Sequence, residues 1–320
     1  MTYTPPLRDM HFTLTHVLGF QSATVDEATM EAIFDEAGKL AAEVLAPLDI
    51  IGDEHGATLA SGGVVTTAPG FKEAYKQYKD AGWNAVPFDP QYGGQGLPYA
   101  VSFPVSEMWQ SANLSFSLCP LLNQGAMEAI AHHGSDVQKN AFIPKMTSGE
   151  WTGTMNLTES HAGSDLGLIK TKATPQADGS YAITGQKIFI TFGEHDMSDN
   201  IIHLVLARID GAPADVKGIS LFIVPKILED GTRNTLECIG LEHKLGIHAS
   251  PTCTMSFDNA KGQLVGNANE GLKYMFTMMN HARLSVGLQG VAIAERATQK
   301  AIDYAGQRVQ GRDLATTQRV

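Results

Sequence analysis

The residues best placed to do chemistry lie in one stretch, Met155-Asn156-Leu157-Thr158-Glu159-Ser160-His161-Ala162-Gly163-Ser164-Asp165. It begins as a strand-like run from Trp151 to Leu157. It then breaks into small and polar residues around a glycine, which is a loop by composition. Thr158, Ser160 and Ser164 bring hydroxyls, and small side chains leave backbone N–H groups free to donate. A loop of this kind can cup the polar edge of a ring or a phosphate. The same composition also makes an ordinary loop between strands, and residue types alone leave both readings open.

The chain around this stretch has 320 residues, 43% hydrophobic and 18% charged, enough for one large domain or several with sizeable cores. A net charge of −11 argues against a nucleic-acid surface, whose affinity comes from cations neutralising phosphates. It argues equally against binding to anionic lipid. No run of 18 apolar residues exists, so no membrane span is expected. Met1 to Met10 lacks the charged start and apolar core of a signal peptide. Cys119, Cys238 and Cys253 are scattered, without CxxC, so neither a disulfide framework nor structural zinc is expected. They read as buried small hydrophobes in a reducing, cytoplasmic setting.

Helices come first. From Asp26, a capping residue, apolar residues recur at three- and four-residue steps through Leu45, and Pro47 lies near the expected end. Residues 52–70 read as a loop, and 70–81 as a second helix. The turn Pro87 to Pro98 holds three glycines, but no strand feeds it and Pro98 follows directly, so a dinucleotide site is not expected. Helical patterns resume from Ala100 to about Ser148. Adjacent His132 and His133 point apart on a helix and do not share a metal. From Trp151 to about Val265 the period changes to two, with short strands joined by turns, which suggests an antiparallel barrel or sandwich. Glu194-His195-Asp196 reads there as a loop of solvated polar groups, because three consecutive residues do not converge on one ion. From Gly271 to Arg308 no proline interrupts a helix about 57 Å long, which makes sense only against other helices. The expected class is therefore α+β: N-terminal helices over 1–150, a β domain over 151–265, and the start of a second helical domain over 266–320.

The central stretch resembles the flavin-binding signature of the acyl-CoA dehydrogenases. About two dozen residues later, Ile183-Thr184-Gly185-Gln186-Lys187-Ile188-Phe189-Ile190-Thr191 resembles that family's Gly-x-Lys-x-Trp-Ile-Thr pattern, with Phe189 in the Trp place. The Pro87–Pro98 turn resembles the family's Pro-x-x-Tyr-Gly-Gly-x-Gly segment. Tyr92–Tyr99, Phe192–Met197 and Lys244–Thr252 look closer to a bacterial branch that includes the 3-methylmercaptopropionyl-CoA dehydrogenases. The resemblance implies FAD as cofactor and an acyl-CoA thioester as substrate. It also implies an electron-transfer flavoprotein as acceptor and a homo-oligomer in full-length form. Met155, Leu157, Thr158 and Gly163 would lie along the flavin, and Ser164 near the pyrophosphate or the CoA. Phe189 would pack beside the ring, and Thr191 would donate to it. Arg283 would stand near the CoA entrance, and Arg308 would reach the FAD of a neighbouring subunit, although an exposed arginine is equally common.

One departure from the pattern is expected to matter. The family places several helices after its β domain and its usual catalytic glutamate beyond the position of Val320, so the chain reads as a truncated form with no catalytic base to name. Some relatives carry the base just before the arginine of the long helix, where this sequence has Ala282. The long helix would then expose an apolar face unless a partner covered it. Three readings stay open: the dehydrogenase, an oxidase of the same fold, and a non-catalytic flavin- or acyl-CoA-binding fragment.

Overall fold

The computed structural model describes residues 3–312 and 314–316. A short helix, α1 (Leu7–Phe12), precedes α2 (Glu27–Lys39). Asp26 caps α2 by accepting from the Thr29 N–H at 2.8 Å. The helical path does not stop near Pro47. It widens into a π-type segment over Leu40–Leu45 and continues as α3 (Ala46–His55). Pro47 sits in the first turn of α3, directly after the widened π-type segment. The expected loop over 52–70 holds a hairpin, β1 (Thr58–Ala60) and β2 (Val64–Thr66). Then come α4 (Phe71–Asp80), α5 (Tyr99–Ala112), α6 (Leu114–His133) and α7 (Asp136–Thr147). The His132 ring meets the Glu128 carbonyl, whereas His133 bonds the Thr277 hydroxyl and stacks on Tyr274.

The β domain comprises β3 (Trp151–Asn156), β4 (Lys172–Pro175), β5 (Tyr181–Thr191), β6 (Asn200–Ile209), β7 (Ile219–Pro225), β8 (Leu236–Leu241) and β9 (Thr252–Val265). Pairing runs β6–β4–β5–β9–β7 and returns from β7 to β6, so the sheet closes, with β3 beside β6 and β8 beside β9. The sheet is mixed rather than wholly antiparallel. β3 and β4 each pair parallel to β6. The β4–β5 hairpin turns the chain between β3 and β6, so β6 sets off in the direction of β3, and period-two alternation carries no information about that direction. The last element is α8 (Gly271–Gln307).

Three apolar layers result. One joins α2, α4 and α5. A second lies between α6, α7, the start of α8 and the outer face of the sheet, where Ile202, Leu204 and Leu206 project. Gly153 lets α6 lie on β3, since a Cβ there would stand 2.4 Å from that of Ala126. The third fills the barrel, with Val205, Phe222, Met255 and Phe257. All three cysteines are buried and free. No helix among the described residues is long and apolar enough to cross a membrane. The outer face of α8 leaves Leu284, Val286, Val291 and Ile302 exposed.

Glu194-His195-Asp196 is not a solvated loop. Glu194 and His195 are buried. Glu194 pairs with Lys226 and, at 3.0 Å, with Arg233, and Asp196 accepts from the Thr67 hydroxyl at 2.7 Å. The compensating cations come from residues 32 and 39 positions away, which no local pattern shows. His195 accepts from the Met197 N–H and bonds the Thr152 hydroxyl, so it is neutral with its proton on Nε2. His203 inside the barrel lies edge-on to Phe257.

Burial, with nearby Lys226, holds both His195 and His203 down at about 3 from the ordinary 6.5. Both are neutral in the fold, and the unfolded chain takes up protons first as pH falls. Their contribution to stability is therefore full above pH 6.5 and is lost between 6.5 and 3. Going from pH 7.5 to 5.5 should cost about 3 kcal/mol from the pair. His203→Gln should remove about half of that pH dependence in urea titrations, and an unaltered slope would contradict this account.

Candidate functional site

The two sequence motifs meet at the end of β5. Pairing of β5 with β9 slips between Lys187 and Ile190, which makes a bulge. Freed from β9, the Ile188 N–H donates to the Thr158 carbonyl at 2.9 Å. The Thr154 hydroxyl donates to the Thr191 carbonyl at 2.7 Å. The bulge places Phe189 at φ +61, a conformation rare for a bulky residue, and leaves the residue 57% exposed. Ile190, the next residue, returns to the barrel interior.

Beneath the loop lies a buried ion pair. Lys187 is 0% and Glu159 4% exposed, and their Nζ–Oε1 separation is 2.9 Å. Lys187 also donates to the Leu157 carbonyl at 2.9 Å. Glu159 accepts from the Thr171 hydroxyl at 2.6 Å, the Thr171 N–H at 3.0 Å and the Lys170 N–H at 2.7 Å. Burial pushes the Glu159 carboxyl up, but Lys187, Thr171 and the Lys170 N–H outweigh it and hold the group below its ordinary value. Burial pulls the Lys187 ammonium down against the opposing pull of Glu159. Glu159 and Ala162 exchange two backbone hydrogen bonds of 3.0 Å, which closes the loop into a tight turn. Neither Glu159 nor Lys187 was singled out from sequence. The available signal was parity: Lys187 shares the inward register of Ile183 along β5.

The structure therefore brings together Met155, Leu157, Thr158, Phe189 and Thr191 on one wall. Met155, Thr158 and Thr191 are half-buried there, and Leu157 is buried. Gly163 and Ser164 stand exposed on the loop above. Ala282, near the start of α8, packs into the same apolar layer as Met155 and Leu157. Arg283 beside it is exposed, bonds Asn280 at 3.2 Å and lies over the Phe276 ring. Arg308 is not part of this wall. It follows the last turn of α8, about 38 Å along the axis from Arg283. It lies over the Tyr304 ring.

Three domain models of one family match in chain order. They are the acyl-CoA dehydrogenase N-terminal domain over 28–150, the middle domain over 154–260 and the C-terminal domain over 269–320. The chain belongs to the acyl-CoA dehydrogenase family. It is 51% identical to 3-methylmercaptopropionyl-CoA dehydrogenase of Ruegeria pomeroyi, over 98% of this chain and 55% of that one. Butyryl-CoA dehydrogenase of Megasphaera elsdenii superposes with a TM-score of 0.75 at 26% identity, covering 92% of this chain and 73% of that one. An acyl-CoA dehydrogenase of Bacillus anthracis solved with FAD gives 0.75 at 25% identity, over 91% and 46%. The chain spans about half the length of the curated relatives it matches.

In this acyl-CoA dehydrogenase chain the wall depends on the buried pair. Removing one partner of such a pair leaves an uncompensated charge and costs about 3–5 kcal/mol. Lys187→Met should destabilise the chain by that amount in urea unfolding, and adding Glu159→Gln should recover part of the loss. Near-neutral behaviour of Lys187→Met would mean that the pair does not hold the loop.

Proposed function

We propose that this chain provides the flavin- and acyl-CoA-binding part of an FAD-dependent acyl-CoA dehydrogenase, an oxidoreductase acting on CH–CH groups. The observation that carries the reading is Phe189, an exposed aromatic ring on a left-handed backbone, anchored from below by a buried ion pair. Such backbone strain, of order 1–3 kcal/mol, persists only where the surroundings impose it, and it concentrates at ligand sites.

The residues present fit FAD. Phe189, Met155 and Leu157 form an apolar wall for a flat ring. Thr158 and Thr191 bring hydroxyls to that wall, and Gly163 and Ser164 expose donors suited to phosphate. When bound, FAD supplies the two-electron chemistry, accepting hydride from the β-carbon of the thioester. Phe189 keeps water from one side of the ring, and the two threonines fix its polar edge. Phe in place of Trp keeps the wall and omits an indole N–H. Arg283 presents a cation at the mouth, suited to the phosphates of CoA. Arg308 is too far along α8 to serve the same wall; the family resemblance would have it reach the FAD of a neighbouring copy in a homo-oligomer. An electron-transfer flavoprotein is the electron acceptor that this reading entails.

The α-proton of a thioester is weakly acidic and needs a close, desolvated base. We assign no base within the described residues. Ala282 belongs to the same apolar layer as Met155 and Leu157 and has no group able to take a proton, and this favours a second reading, in which the chain binds flavin and acyl-CoA without turnover.

The 320-residue chain should take up FAD and stay yellow when acyl-CoAs are added without oxygen. Bleaching would place a base within these residues and eliminate the second reading. Phe189→Ala should weaken FAD binding about tenfold or more in a fluorescence titration, with the fold kept, because the wall loses its one protruding ring. Equal affinity would remove Phe189 from the site.

A further inference from the structure

The first helix brings a histidine over the exposed face of the second. Glu27 and Glu31 are four residues apart on α2, so their side chains rise side by side from one face. His11 of α1 lies across from them. Its Nε2 is 3.0 Å from Glu27 Oε1 and 3.4 Å from Glu31 Oε1. The three atoms lie within 4.8 Å of one another, and among the described residues no other trio of histidine, cysteine or carboxylate side chains has that spacing.

A plain ion pair would account for this proximity if the imidazole donated to either oxygen, and it does not. Nε2 is buried, yet neither oxygen stands in the direction of a ring N–H, and the atom makes no hydrogen bond. One ring nitrogen and two carboxylate oxygens that converge without hydrogen-bonding form the donor set of a cation. The two carboxylates also repel one another on α2, and a divalent ion would neutralise both.

The geometry points to a binding site for one divalent ion of the zinc class on His11, Glu27 and Glu31. With bonds of about 2.0–2.2 Å, neighbouring ligands of a tetrahedral zinc stand about 3.3–3.5 Å apart. The two nitrogen–oxygen separations, 3.0 and 3.4 Å, are close to that edge. The glutamate side chains are 64% and 59% exposed, so the third edge adjusts by rotation. Three protein ligands leave the fourth position to water. A nitrogen donor selects against calcium and magnesium, which take all-oxygen shells of six or more.

The position of the site gives the ion a task. Just before α1, the backbone of Thr4 exchanges two hydrogen bonds with the Gln299 side chain of α8, at 3.0 and 2.7 Å. No side chain caps the start of α1. An ion joining α1 to α2 clips this N-terminal arm at its far end, while Gln299 holds the near end. The arm then ties α8 to the N-terminal helices.

The test titrates zinc chloride by calorimetry into the 320-residue chain, first freed of metal with a chelator that is then removed. Zinc should bind in one equivalent, undisturbed by a tenfold excess of calcium. His11→Ala should weaken binding about tenfold or more. So should Glu27→Gln combined with Glu31→Gln, two exposed changes that keep side-chain shape and remove the charges. Zinc should also slow amide hydrogen exchange over residues 7–12 about tenfold in the parent chain and leave it unchanged in the variants. Three results would each overturn the clip: no saturable zinc binding, equal binding by parent and variants, or binding that leaves exchange over 7–12 unaltered.

Discussion

Everything at the candidate site depends on burying the Lys187 ammonium. A lysine taken out of water is costly unless a partner compensates it, and here the partner lies 28 residues earlier, in the loop whose shape matters. Once Glu159 is drawn in, its second oxygen and its neighbours are constrained too. It accepts from Lys170 and Thr171, and this fixes where the chain enters β4. The second bond of Lys187, to the Leu157 carbonyl, fixes where β3 ends. One charge thus ties three segments, and Thr158 is held between the two anchored residues Leu157 and Glu159.

The barrel supplies the rigidity that makes this worthwhile. A closed sheet has no edge along which β5 could slip, so the bulge at Ile188–Phe189 stays where the register puts it. The same closure accounts for the polar groups inside. His195 and His203 remain neutral, and Glu194 keeps two cations at the barrel end. The helices cover the outer face presented by Ile202, Leu204 and Leu206, whereas Phe189 stays exposed.

Much of the architecture was legible because its signals are local. The cap at Asp26, the shift from period 3.6 to period two near Trp151, and the proline-free run from Gly271 all lie within short windows. What the sequence concealed depends on long-range pairing. The parallel sense of β3 and β6 is set by a hairpin between them, not by either strand. Glu194 reads as a solvated acid until Lys226 and Arg233 fold back onto it. Pro47 reads as a stop because a helix that widens by one residue before a proline leaves no mark in composition. At the site, the motif spacing points to Thr158, Phe189 and Thr191, whereas the Lys187–Glu159 pair that joins their segments spans 28 residues and shows in no local window.

At the candidate site one local rule is broken inside closely satisfied surroundings. Phe189 adopts a left-handed backbone and holds its ring in solvent. Beneath it, buried Glu159 accepts three hydrogen bonds besides its ion pair, and Lys187 donates to both Glu159 and the Leu157 carbonyl. A segment that pairs its buried charges this closely and still holds a ring in solvent has traded local ease for a surface that a flat cofactor can use.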